Sequence, residues 1–321
     1  MLYPLTFHPI FKERVWGGRR LVELYGKDLP QGARIGESWE ITDRPEGLSV
    51  IANGPLAGRD LRWLMENHRD ELLGSAQAAV GGRFPLLVKI LDAHDKLSLQ
   101  VHPPPHKAAE LGGEPKTEMW YVADATPDAD IFVGLRRGTT REEFEKKIAN
   151  GSVADCFHRH VVKQGDVMFL PSGRVHALGA GSVIFEIQQN SDTTYRVFDW
   201  NRVGLDGKPR ELHVAQALEA IDFEDFEPAL VAHACEPNGS ALLADNELFE
   251  VRLMRASAGQ GVVMEDGGLQ VLALTAGKLE VGAAGNKVPL RPGQFCVLPA
   301  SCAKVGFWAE ADSTWLLARP K

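Results

Sequence analysis

Cysteine is scarce, with Cys156, Cys235, Cys296 and Cys302 the only examples in 321 residues and no Cys-x-x-Cys pair among them. A chain of this length needs no covalent staples, so these read as reduced, inert thiols. No apolar run approaches the roughly 20 residues that span a bilayer. Residues 1–18 also lack a basic segment followed by an uninterrupted apolar one, so a soluble cytoplasmic protein that makes no membrane contact is expected. Positive charge is in deficit, with 35 Lys and Arg against 43 Asp and Glu and a net charge of -8. That balance excludes a general nucleic-acid binder, which presents a basic face to phosphates. A small anion is still allowed, because screening over about 8 Å lets a local basic pocket outweigh distant acidic charge. Gly179-Ala-Gly181 lacks the third glycine of a dinucleotide fingerprint, and neither a phosphate-binding G-x-x-x-x-G-K-[ST] loop nor a G-x-S-x-G elbow occurs. Nucleotide cofactors and serine hydrolysis therefore have no support.

What is abundant is punctuation. Gly 32 and Pro 19 break the chain into many short apolar runs, the pattern of a mainly β protein with frequent turns. Strands are expected at Phe84–Leu91, Leu97–His102, Met119–Ala123, Val167–Leu170, Val183–Gln188, Leu269–Leu274 and Phe295–Leu298. Helices are expected to be few and short, at Asp60–Asn67, Thr140–Ala149 and His213–Ala220. The acidic stretch Asp222–Pro228 reads as a linker, and the length and 44% hydrophobic content suit two domains, 1–225 and 226–321.

An internal repeat sharpens this. Lys163-Gln-Gly-Asp-Val-Met-Phe-Leu-Pro171 aligns with Arg291-Pro-Gly-Gln-Phe-Cys-Val-Leu-Pro299, and Glu118-Met-Trp-Tyr-Val-Ala upstream of the first aligns with Gln270-Val-Leu-Ala-Leu-Thr upstream of the second. A glycine turn feeding a short apolar strand that ends at proline is a half-motif of a cupin (jelly-roll) β-barrel, so two such barrels are expected. Where the first copy has Glu118 and His176, the second has Gln270 and Lys304, which leaves the C-terminal barrel without a metal site.

In Leu97-Ser-Leu-Gln-Val-His102 strict alternation puts Ser98, Gln100 and His102 on one face and the aliphatic residues on the other. Facing a barrel lumen, Gln100 and His102 could meet Glu118 from a neighbouring strand and His176 from the turn after Pro171. Two imidazoles, a carboxylate and an amide suit a borderline divalent ion such as zinc, with manganese, iron or cobalt open on ligand type alone. Lys89 stands inside the apolar run Phe84–Leu91, and Glu186 inside Val183–Ile187. A buried charge needs a partner, and the functional readings are a phosphate for Lys89 and proton transfer or hydrogen bonding for Glu186. Ser98 and His102 lie about 13 Å apart along a strand, a span that fits an open-chain hexose phosphate. Lys116 shares the face of Glu118, and Arg196 ends a polar run where a loop could close over the barrel mouth.

Arg14-Val-Trp-Gly-Gly18, Gly36-Glu-Ser-Trp-Glu-Ile41, Pro85-Leu-Leu-Val-Lys-Ile-Leu-Asp92, Leu97-Ser-Leu-Gln-Val-His-Pro103, Lys116-Thr-Glu-Met-Trp-Tyr121 and Gln188-Gln-Asn-Ser-Asp-Thr-Thr-Tyr-Arg196 together resemble the short bacterial form of the type I mannose-6-phosphate isomerase family. The resemblance runs to about Arg202. It implies one zinc ion per chain at Gln100, His102, Glu118 and His176, phosphate held by Ser98 and Lys89, and Lys116 and Arg196 beside the reacting carbons. The implied reaction interconverts mannose 6-phosphate and fructose 6-phosphate through a cis-enediol. Zinc would fix the C1/C2 oxygens, Arg196 would support enediolate charge, and Lys116 or Glu186 would carry the proton. Pro115 replaces a histidine of some longer relatives, and the interval from Glu118 to His176 is too short for their helical insertion. A monomer or weak homodimer is expected. A non-catalytic metal cupin that senses sugar phosphates, and an iron-dependent cupin oxidase, are the rival readings.

Overall fold

Alternation decides which face of each strand is apolar, and here it assigns two faces to two different jobs. The computed structural model describes residues 1–265 and 267–321. The strands that build the N-terminal part are β1 (Ile10–Gly18), β2 (Ile35–Ile41), β3 (Leu86–Ala93), β4 (Leu99–Val101), β5 (Glu118–Ala125), β6 (Asp130–Leu135), β7 (Phe157–Val161), β8 (Val167–Leu170), β9 (His176–Leu178), β10 (Ser182–Gln189) and β11 (Tyr195–Phe198). They form an antiparallel six-stranded sheet in the order β8-β5-β10-β3-β2-β1 and a five-stranded sheet in the order β7-β6-β9-β4-β11.

On the larger sheet, Val88 and Ile90 of β3, Met119 and Tyr121 of β5, and Phe185 and Ile187 of β10 enter the main core. Their alternate neighbours Leu91, Trp120, Val122 and Ile184 turn the other way, to meet Ile131, Val133 and Leu178 of the smaller sheet. The smaller sheet is backed in turn by Leu99, Val101, Ala177 and Val197 packing on Phe144, Ala217 and Ala220 of flanking helices. The site lies between the two facing sheets, lined by Lys89, Gln100 and Glu186, which share the inner face with Leu91 and Ile184 and point away from the cores that back each sheet.

The C-terminal part contains β12 (Ser240–Asp245), β13 (Phe249–Ala256), β14 (Gly261–Met264), β15 (Gln270–Ala283), β16 (Asn286–Leu290), β17 (Phe295–Leu298) and β18 (Val305–Pro320). Its order is β12-β13-β18-β15-β16, with β14 on β18 and β17 on β15. Val271, Phe295, Val297 and Leu316 join the main core against the six-stranded sheet, where Phe185 and Phe295 lie 5.4 Å apart. Leu272, Leu298, Phe307, Trp315 and Leu317 fill its own interior.

Two expectations are amended. None of these sheets closes into a barrel among the described residues. In the C-terminal part β15 and β18 run for 14 and 16 residues, and register shifts near Ala276 and Lys278 bend one long ladder instead. Gly277, at φ +91, sits at that irregularity, where a Cβ would strike the backbone of Asp312. Asp222–Pro228 is no free linker. Leu135 N donates to Asp225 O at 2.9 Å, Glu227 N donates to Leu135 O at 2.9 Å, and Arg174 pairs with the Asp225 carboxylate at 2.7 Å.

The three expected helices form at Leu61–Asn67, Arg141–Asn150 and Val214–Ala220, the first two capped by the side chains of Asp60 and Thr140. Among the described residues no helix is long and apolar enough to cross a membrane. Phe185 couples the two parts through a fully buried ring. Phe185→Ala should therefore lower unfolding free energy by about 3–5 kcal/mol in urea titration. A loss under 1 kcal/mol would contradict a shared core.

Candidate metal and active site

The inner face of the six-stranded sheet carries a row of cross-strand neighbours that no apolar core would contain. Trp39 pairs in register with Lys89, Lys89 with Glu186, and Glu186 with Trp120. Lys89 Nζ lies 3.2 Å from Glu186 Oε2 and 3.9 Å from both Glu37 and Asp192, with its ammonium 5.3 Å from the Trp39 ring centroid. The buried ammonium thus has three carboxylates around it, which supplies the partner that the sequence demanded. Trp120 Nε1 donates to Glu186 Oε1 at 3.0 Å, while Trp39 Nε1 donates to Glu37 Oε2 at 2.6 Å. Burial alone would raise Glu37, but Lys89 and Arg14 outweigh it and hold the carboxyl at about 2.

Next to this row, Glu118 begins β5, and His176 begins β9 in register with Gln100 of β4. The side chains of His102, Glu118 and His176 bring three ligand atoms within 4.8 Å of one another. His176 Nε2 is 3.3 Å from Glu118 Oε1, and His102 Nε2 is 3.6 Å from Oε2. Both imidazoles are anchored from behind. His102 Nδ1 lies 2.7 Å from the Thr193 carbonyl and His176 Nδ1 lies 2.9 Å from that of Arg174. A carbonyl can only accept, so each Nδ1 carries the proton and each Nε2 presents a lone pair towards the carboxylate. Burial drives both histidines towards the neutral form, His102 well below its ordinary range and His176 to about 4.

Two nitrogen lone pairs aimed at a carboxylate in a dry site repel one another unless a cation joins them. His102 Nε2 and Glu118 Oε1 have no hydrogen-bond partner although both are buried. The donor set therefore fits a divalent metal of zinc type. Burial pushes Glu118 up to about 7, with Glu186 adding to the rise and Lys116, 2.8 Å away, opposing it. Lys116 is held above its ordinary range, because Glu118 and Glu186 outweigh the effect of its own burial.

Gln100 borders the triad with its amide nitrogen 3.3 Å from His176 Nε2, and its oxygen accepts from Ser98 Oγ at 3.3 Å. Arg196 Nε donates to the same Ser98 hydroxyl at 3.2 Å. Ser98, Gln100, Lys116, Lys89, Glu186 and Arg196 all line one cavity of about 560 Å³, and the triad lies directly behind Gln100 and Lys116. Every expected site residue is thus gathered in one place. Sequence reasoning assigned no role to Glu37, Asp192 or Arg210, which line the same cavity. Glu37 carried a legible signal, since it is a charge in the buried strand Ile35–Ile41, the same clue that marked Lys89.

Comparison with known proteins agrees with this geometry. Residues 5–139 match the family described as phosphomannose isomerase type I, catalytic domain. A mannose-6-phosphate isomerase from Streptococcus mutans is 36% identical over 301 residues, covering 93% of each chain. The crystal structure of the mannose 6-phosphate isomerase from Bacillus subtilis superposes with a TM-score of 0.89 at 32% identity, over 99% of this chain and all of that one. A zinc-bound holo structure of a mannose 6-phosphate isomerase shares the fold, with a TM-score of 0.80 at 18% identity over 99% of each chain. With relatives at this identity matched along nearly their whole length, the chain belongs to the type I phosphomannose isomerase family.

Proposed function

We propose that the chain interconverts mannose 6-phosphate and fructose 6-phosphate through a cis-enediol, with one zinc ion per chain held by His102, Glu118 and His176 and Gln100 as the fourth candidate ligand. The observation that carries this reading is the buried triad of two lone-pair imidazoles and a carboxylate directly behind Gln100 and Lys116, which line a cavity of about 560 Å³. Bound zinc supplies a Lewis acid for negative charge developing on the C1 and C2 oxygens. Residues 1–225, with their two facing sheets, are read as a jelly-roll catalytic unit, and 226–321 as its companion.

Moving a proton between C1 and C2 needs a base at the carbon end of the cavity. Glu186 suits this role because Trp120 fixes one carboxylate oxygen, while Oε2 faces Lys89 without a hydrogen bond. Lys116 keeps a positive charge beside Glu118, where enediolate charge develops. Two assignments made from sequence are revised. Lys89, ringed by Glu37, Glu186 and Asp192, would meet a phosphate through surrounding negative charge, so we assign it to holding Glu186. Arg196 is bonded to Ser98, with Gln100 between Ser98 and the triad, so we assign it with Ser98 to the phosphate end, away from the enediolate.

Purified protein given mannose 6-phosphate, with fructose 6-phosphate detected by a coupled assay, should turn over. Chelation should abolish turnover, and added zinc should restore it. Binding of sugar phosphate without turnover would instead favour a sensor. Glu186→Gln should lower kcat by about 10²–10⁴-fold with zinc content unchanged. Arg196→Ala should act mainly on KM, raising it about tenfold or more. A kcat loss in Arg196→Ala at unchanged KM would return Arg196 to the carbon end.

A further inference from the structure

Residues 203–209 form a small hairpin at the cavity mouth. Val203 bridges Pro209 antiparallel, Gly204 N donates to Lys208 O at 2.7 Å, and Gly204, Leu205 and Asp206 line the cavity. The residues just outside the hairpin, Arg202 before it and Arg210 after it, both reach one carboxylate. Arg202 Nε and Nη2 donate to Asp199 Oδ1 at 3.0 and 2.8 Å, while Arg210 Nε donates to Oδ2 at 2.6 Å and Nη2 to Oδ1 at 2.5 Å. Asp199 is only 5% exposed.

The turn that follows Asp199 is unfavourable on its own. Trp200 and Asn201 take φ of +56 and +54, a left-handed conformation that asparagine tolerates but a bulky tryptophan holds only where surroundings enforce it. Here Trp200 Nε1 donates to Leu97 O at 2.7 Å, and Lys96 lies over the indole. The next residue past Arg210 reaches the site, since Arg196 Nη1 donates to Glu211 O at 2.7 Å. The segment held by Asp199 is therefore the one that holds Arg196. Burial, then Arg210, depress Arg196 below its ordinary range, and Asp199 opposes this. Without that carboxylate, three guanidiniums would repel across a partly buried loop.

We propose that Asp199 is a positioning residue for the phosphate end of the cavity. One buried carboxylate clasps both legs of the hairpin, sets Arg210 in the cavity wall as a second guanidinium for the phosphate, and presses the Glu211 carbonyl against Arg196. This rests on the isomerase reading and adds to it. Two guanidiniums in fixed orientation recognise a phosphate dianion better than mobile point charges do, whereas a hairpin released at both legs would leave Arg196 and Arg210 to reorient at each binding event.

The test is steady-state kinetics with fructose 6-phosphate on zinc-loaded wild type, Asp199→Asn and Arg210→Gln, with inorganic phosphate as competitive inhibitor. In Asp199→Asn, both KM and the inhibition constant of phosphate should rise about tenfold, with kcat within about threefold and zinc content intact. Arg210→Gln should raise both constants in the same direction. A merely structural role would lower kcat in proportion to folded protein and leave KM and the phosphate constant unmoved, which would overturn the proposal. If Asp199→Asn does not fold, unchanged constants in Arg210→Gln overturn it equally. If the wild type turns over no sugar phosphate, the isomerase reading falls, and calorimetric titration of the same three proteins with inorganic phosphate still decides the role of Asp199.

Discussion

Glu118 is completely buried between two imidazoles whose Nδ1 protons are already committed to backbone carbonyls. A carboxylate in that position loses its hydration and receives no imidazole proton in exchange, so Lys116 and a divalent metal are what allow it to stay charged. The surroundings follow from this requirement. The Thr193 and Arg174 carbonyls orient the rings, and Arg174 is itself tied to Asp225 in the segment that joins the two parts of the chain. The metal site is thereby coupled to a stretch of backbone that composition alone marks as a dispensable connector.

The same six-stranded sheet serves two incompatible environments. Its outer face, through Val88, Met119 and Phe185, is sealed by the C-terminal sheet. Its inner face holds Glu37, Lys89, Glu118 and Glu186, four ionisable groups that would be untenable singly. Sealing one face completely excludes water from behind the charged row, which strengthens its internal ion pairs and keeps them in one arrangement. The C-terminal part thus forms the back wall of the sheet that carries the charged row, while its own interior is filled by Leu272, Phe307 and Trp315.

Much of this is legible in the order of residues. Period-two alternation puts Ser98, Gln100 and His102 on one face, and β4 does turn Leu99 and Val101 into the opposite core, but Leu97 lies before the strand begins at Leu99 and turns inward to line the cavity beside Ser98. A lysine within Phe84–Leu91 announced a buried partner, and Glu186 proved to be that partner, directly across the ladder. Strands with weaker apolar contrast escaped notice. Phe157–Val161 reads Phe-His-Arg-His-Val because it is an edge strand whose alternate side chains face solvent. Asp130–Leu135 gave no polar alternation because most of it is buried.

The sequence by itself determined the mainly β character, the short capped helices, the family and the identities of the metal-ligand candidates, because these depend on residue type and local periodicity. Tertiary structure alone decided the partners: that three carboxylates surround Lys89, that Arg196 leans on Ser98, and that Asp199 gathers two arginines from either side of a hairpin. Those pairings join residues brought together by sheet register and loop closure. Electrostatic role depends on distance and burial, and neither quantity is written in the order of the residues.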